Sequence, residues 1–167
     1  GEAIAAIADG ARFADRAAWR LFRSHLAAYF AAAVLMPYGR FMRACEATGY
    51  DLTILQRRFN VGFEQLAHRL TTLQRVGQRG LPFFMARIDR AGQFSKRYAG
   101  ASGTTLLEGD VSCPLWNVHQ AFEQAGRIQV QTIEFAEAGG VASHWFTMAR
   151  TVEGSGAPGG ESARFVV

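Results

Sequence analysis

Two hydrophobic rhythms divide this chain. Up to about residue 77 apolar side chains recur at spacings of three and four, the stripe of an amphipathic helix; beyond residue 81 they alternate as in half-buried strands. Phe22, Leu26, Tyr29, Phe30, Ala33 and Val34 form the first stripe, and Pro37 ends it. A second helix is predicted over about Arg40–Thr48, with Gly49 as a left-handed C-cap. Asp51 is placed to cap a third, Leu52–Phe59, and Asn60-Val61-Gly62 makes a turn. A fourth, about Phe63–Arg75, carries Phe63, Leu66, Ala67, Leu70 and Leu73 on one face. His68, Arg69, Thr72 and Arg75 lie largely off that face.

In the second half, Leu81–Asp89 alternates, with Phe84, Ala86 and Ile88 on one side and Phe83, Met85 and Arg87 on the other. Arg90-Ala91-Gly92-Gln93 has hairpin-turn chemistry and Phe94–Tyr98 is the return strand. A long loop, Ala99–Ser112, leads through Cys113-Pro114-Leu115 into a helix over Trp116–Glu123. Strands over about Arg127–Glu137 and Ser143–Val152 form a second hairpin, and Ala163–Val167 adds a last strand. The breakers from Gly77 to Pro82 mark a boundary. The expected fold is α+β: an N-terminal helical subdomain of about four helices (1–77), then a mostly antiparallel sheet with one inserted helix (81–167).

Composition changes this picture little. With 167 residues, 49% hydrophobic, 19% charged and 13 Phe, the chain is globular in character. No apolar run approaches the roughly 18 residues of a membrane span, and no secretory signal is visible. The absence of an initiating Met reads as a piece cut from a longer protein. Cys45 and Cys113 make neither a disulfide framework nor the four ligands of a structural zinc, so the reading is a cytoplasmic chain without a metal site. The net charge of +4 rests on 18 basic residues of which Lys96 is the single lysine. Arginine's planar fork suits phosphate and carboxylate, so an anionic ligand and nucleic acid both fit.

No HExxH, GxSxG, P-loop or strand-linked GxGxxG is present, and the four histidines are scattered. The expectation is a non-enzyme with no catalytic residues. Arg57–Gln65 invites a helix-turn-helix reading with Gln65, Arg69 and Arg75 toward DNA, yet Phe63 and Glu64 in the first turn are poor groove contacts, and ordinary packing is the competing reading. Arg87 with Lys96 and Arg97 makes the best anion candidate of the second half, against a cross-strand ion pair. Cys113-Pro114-Leu115-Trp116-Asn117-Val118-His119 reads either as a reactive or ligand-contacting helix start, or as a buried structural turn with Trp116 in the core and Asn117 bonded to backbone. Tyr29-Phe30 and Met36-Pro37-Tyr38 read first as core.

Several strings, in order, carry a resemblance: Leu26–Tyr38 (LAAYFAAAVLMPY), Arg57–Arg75 (RRFNVGFEQLAHRLTTLQR), Pro82-Phe83-Phe84, Arg87–Gly92 (RIDRAG), Ser95-Lys96-Arg97, Cys113–His119 (CPLWNVH) and Ala149–Val152 (ARTV). Together, over about residues 20–152, they resemble the short-chain fatty acyl-coenzyme A regulator family of bacterial transcription factors, linked to propionate and acetate metabolism. The resemblance implies an N-terminal helix-turn-helix that binds DNA, a region related to zinc-peptidase-like regulators, and then a ligand-sensing domain. This chain would hold the helical tail of the middle region and the sensor. It also accounts for Arg58-Phe59-Asn60-Val61-Gly62 as an RF-x-V-S/T step without DNA contact, with Gly62 in place of the usual Ser. The sequence departs from the family after Ser-Lys-Arg, over Tyr98–Ser112. It also ends before the Cys-rich segment that in some members holds an iron–sulfur cluster.

The reading that follows is a ligand-sensing domain with no permanently bound cofactor. Its effector is coenzyme A or a short-chain acyl-CoA, and it signals to a DNA-binding domain outside this chain, as a homodimer. Phosphates need Arg or Lys forks, for which Arg58, Arg69, Arg87, Lys96 and Arg97 are the candidates. The arm needs a narrow apolar slot, for which Tyr29, Phe30, Tyr38, Phe59, Phe84 and Trp116 are available, with His119 beside them. The expected site lies where the helical half meets the sheet. Two other readings stand beside it: a DNA-contacting helical module with a β dimerisation platform, and a degenerate peptidase needing metal from outside this chain.

Overall fold

The computed structural model describes residues 2–11, 13–98, 113–136, 142–152 and 162–166. The architecture is α+β, helices first and then antiparallel strands. Two compact units divide between Asn60 and Val61, and not at the Gly77–Pro82 breakers. The reason is the last long helix, which packs on the sheet that follows it.

The first unit contains α1 (Glu2–Gly10), α2 (Arg16–Leu35), α3 (Tyr38–Ala47) and α4 (Leu52–Phe59). Its boundaries follow local chemistry. Asp15 caps α2 by accepting from the Ala18 N–H at 2.7 Å, and Asp51 caps α4 by accepting from the Ile54 N–H at 2.9 Å. Asn60 closes α4 with φ +51°, a left-handed position that asparagine tolerates. Met36, Phe41, Cys45, Leu52, Leu55 and Phe59 are buried, with the Phe41 and Phe59 rings 5.2 Å apart. Burial pushes the Cys45 thiol up to about 12, so at neutral pH it is protonated.

One expectation for this unit is corrected. Tyr29, Phe30 and Val34 are not core: they are 42%, 60% and 60% exposed. Within the unit α2 packs against α1, whose nine residues are less than half the length of the twenty-residue α2. The correct helical period therefore exceeds the surface available to cover it.

The second unit begins with α5 (Phe63–Thr71). A short hairpin, β1 (Gln74–Arg75) and β2 (Gln78–Arg79), then turns at Gly77 with φ +79°. The breaker cluster is this turn. A five-stranded antiparallel sheet follows, built from β3 (Met85–Ile88), β4 (Phe94–Tyr98), β5 (Gln129–Ala136), β6 (Ala142–Val152) and β7 (Ser162–Val166). Helix α6 (Asn117–Gln120) is one turn long, shorter than the Trp116–Glu123 span expected. The strands run β4-β3-β7-β6-β5 across the sheet, so the last strand of the chain sits in the middle between the two hairpins. The Ala99–Ser112 loop lies outside the described residues.

The two faces of this sheet differ. On one, Phe84, Ala86, Ile88, Ile133 and Ala149 pack with Trp116, Val118 and Ala121 of the α6 turn in one buried cluster. Phe84, Ala86 and Ile88 thus face one way, as their alternation requires. Over the other face lies α5. His68 stacks edge-on to Tyr98 at 4.6 Å, Glu64 reaches Lys96, and the Arg150 guanidinium lies 5.8 Å from the Phe63 ring. Phe63, Leu66, Ala67 and Leu70 are buried. So is Arg69, 3% exposed, against the expectation of a side chain off the apolar face. Of the residues that the helix-turn-helix reading turns toward DNA, Arg69 is buried, and Gln65 and Arg75 are exposed.

Candidate functional site

Strand register aligns basic positions across the sheet. Arg87 of β3 pairs with Lys96 of β4 on one side and with Arg164 of β7 on the other; Arg164 pairs in turn with Arg150 of β6. Residues directly opposite in an antiparallel ladder share a face, and neighbouring strands are about 4.8 Å apart. Lys96, Arg87, Arg164 and Arg150 therefore occupy one row of four basic positions across four adjacent strands.

Such a row is unfavourable by itself, because like charges directly opposite repel. Lys96 Nζ lies 3.8 Å from Glu64 Oε1, a partly exposed ion pair. Arg87 Nε donates to Ser95 Oγ at 2.7 Å, and Ser95 Oγ donates to the Arg87 carbonyl at 3.3 Å. This pairing sits at an irregularity in the β3–β4 register beside Arg87, which offsets Ser95. The row keeps the capacity to hold an anion with several oxygens, by the bidentate contacts that guanidinium groups make with phosphate.

The other residues expected at a site are placed as follows. Arg97, next to Lys96, lies on the opposite face with its guanidinium 4.6 Å from the Phe94 ring. Trp116 is buried in the core cluster, 6.4 Å from the same ring. His119 sits on the α6 turn, its Nε2 3.2 Å from the Cys113 carbonyl oxygen. Arg69 Nη1 donates to Thr72 Oγ1 at 3.2 Å. Tyr29, Phe30, Tyr38, Arg58 and Phe59 belong to the first unit. Tyr29, Phe30 and Arg58 are exposed, Tyr38 is half-buried and Phe59 is buried. Of the sequence candidates, the fold brings Arg87 and Lys96 together. Among the described residues, Asn117 finds no backbone partner for its side chain, contrary to the structural reading of its turn.

Sequence reasoning missed Arg150 and Arg164. Each stands in a strand among apolar or small neighbours (Met148-Ala149-Arg150 and Ala163-Arg164-Phe165), where a charged residue is a weak signal. What joins them is register, and register between β3, β6 and β7 is set by strands far apart in the chain. Among the described residues, no group of three His, Cys, Asp or Glu side chains is placed to hold a metal ion. Nor is any helix there long and apolar enough to cross a membrane.

Comparison with known proteins gives consistent results. The family described as short-chain fatty acyl coenzyme A regulator, C-terminal, matches residues 72–167, and the IrrE N-terminal-like domain matches residues 10–71. The Mycobacterium tuberculosis HTH-type transcriptional regulator PrpR is 46% identical over 134 residues, covering 80% of this chain and 27% of that protein. The regulator RamB of the same organism is 39% identical over 153 residues, 92% of this chain and 31% of its own length. A propionyl-CoA carboxylase regulator of Cereibacter sphaeroides is 45% identical over 124 residues, 74% of this chain and 27% of that protein. A solved M. tuberculosis transcriptional regulator superposes with a TM-score of 0.83 at 39% identity, over 99% of this chain and 50% of that one. The chain thus spans less than a third of the length of these curated relatives.

Proposed function

The chain belongs to the short-chain fatty acyl coenzyme A regulator family, and from that premise we propose that it is the effector-sensing part of a transcriptional regulator, with a short-chain acyl-CoA as effector. The observation that carries this reading is the basic row Lys96–Arg87–Arg164–Arg150. Coenzyme A bears a pyrophosphate and a further phosphate at one end and a neutral thioester arm at the other. Its charged end calls for several guanidinium groups at a fixed spacing, and adjacent strands supply that spacing.

On this reading Arg87, Lys96 and Arg150 bind phosphate. Arg97, Trp116 and His119 belong to the surroundings of the arm on the α6 side. The helical segment, 1–77 as the sequence divides it, is the tail of the peptidase-like region and 81–167 is the sensor. The matched families meet between residues 71 and 72, close to that division. The response passes to a helix-turn-helix domain outside this chain, in a cytoplasmic homodimer. The names of the relatives, transcriptional regulators in each case, support the regulatory part of the proposal. Binding shifts an equilibrium only through a difference in affinity between two states, so the effector must favour one arrangement of the regulator.

Calorimetry on the purified chain with acetyl-, propionyl- and butyryl-CoA tests the proposal. Binding is expected. Arg87→Ala and Arg150→Ala should each weaken it by about tenfold or more, the scale of one lost hydrogen bond to a charged group. Absence of heat with all three ligands at millimolar concentration would overturn the reading.

A further inference from the structure

The turn Cys113–His119 contains a buried side-chain amide that none of the described residues bonds. Asn117 opens α6 and is 4% exposed, yet among the described residues neither its Nδ2 nor its Oδ1 has a hydrogen-bond partner. The groups around it are already committed. The Asn117 backbone N–H donates to Gln131 Oε1 at 2.9 Å, and Gln131 Nε2 donates to the Leu115 carbonyl at 3.1 Å. His119 Nε2 is engaged with the Cys113 carbonyl. The turn is therefore pinned by Gln131 and His119, and the Asn117 amide does not hold it together. A buried amide left without partners is costly, and native structures satisfy nearly all such groups.

Its chemistry defines what would satisfy it. Asn offers an N–H donor and a carbonyl acceptor side by side, a pattern matched by another amide. Its neighbours Trp116 and Val118 belong to the apolar cluster, so a charged group would be desolvated there. The complementary ligand element is neutral, thin and amide-bearing. The basic row lies on the sheet face opposite α6, and β5, which contributes Gln131, is an edge strand. A ligand that meets both places must join a charged head to a long neutral extension.

We propose that Asn117 is a specificity residue that pairs with an amide of the pantetheine arm of coenzyme A, while the basic row takes the phosphates. This rests on the acyl-CoA reading above and names which part of that ligand the α6 turn recognises. The arm enters past the β5 edge, and the Asn117 amide gains both of its bonds when it does.

The test pairs two probes, propionyl-CoA and adenosine 3′,5′-bisphosphate, which keeps adenine and two of the three phosphates but has no arm. Asn117→Leu should weaken propionyl-CoA by roughly tenfold to a hundredfold, the scale of two neutral hydrogen bonds, and leave the bisphosphate unchanged. The melting temperature of the unliganded variant should be equal to or above that of the native chain, because an unsatisfied polar group has been removed. In the native protein, the Asn117 side-chain NH2 resonances should shift with propionyl-CoA and stay in place with the bisphosphate, a readout that needs no variant to fold. Equal loss of both ligands in Asn117→Leu would mean a structural role and overturn the assignment. So would unchanged propionyl-CoA affinity, or unmoved resonances in a native chain that binds it. A native chain that binds neither probe overturns the acyl-CoA reading and this assignment together.

Discussion

The two faces of the five-stranded sheet use the same strands for different ends. The face under α6 is filled by Phe84, Ala86, Ile88, Ile133 and Ala149, and its side chains gain stability by leaving water. The face under α5 carries Met85 and Met148 in one register row, and Lys96, Arg87, Arg164 and Arg150 in the next. Met85 and Met148 are buried, whereas Arg87 and Arg150 remain half-buried and Lys96 exposed. One face is apolar across the strands, while the other joins an apolar row to a row of basic positions.

Substitutions sharpen this contrast in order of size. Phe84→Ala, on the packed face, should lower unfolding stability by about 3–5 kcal/mol, read by chemical denaturation, because a fully buried ring leaves a cavity. Arg87→Ala, one strand position from Ala86 and Ile88 but on the other face, should change stability by no more than about 1 kcal/mol, and at low salt in the stabilising direction. A loss comparable to that of Phe84→Ala would break the distinction between the faces. The smallest effect is expected from Glu64→Gln. The pair with Lys96 joins an exposed lysine to a half-buried glutamate at 3.8 Å, so stability should move by only about 1 kcal/mol. Phosphate-containing ligands should nevertheless bind more tightly, since a carboxylate beside the row is removed. Weaker binding in Glu64→Gln would place the anion elsewhere.

Much of the fold was legible because local chemistry fixes it. Asp51 at a cap, Pro37 as a stop, Asn60 in a left-handed position and the alternation of Phe84, Ala86 and Ile88 each act within a few residues. The site was only partly legible. Arg87 and Lys96 were visible as a pair because a tight hairpin joins their strands. Arg150 and Arg164 were not, since their strands meet β3 only after the chain returns from far away. Tyr29 and Phe30 misled for a related reason: helical period reports which face is apolar, and not whether anything covers it.

The amino-acid sequence by itself determined the helices, the hairpins and the α+β order, because turns, caps and side-chain periodicity operate over short distances along the chain. Only the tertiary structure decided that β7 lies in the middle of the sheet, that four basic positions share one row, and that the Asn117 amide is enclosed without partners among the described residues. These depend on register and burial, which arise from contacts between residues that the sequence keeps far apart.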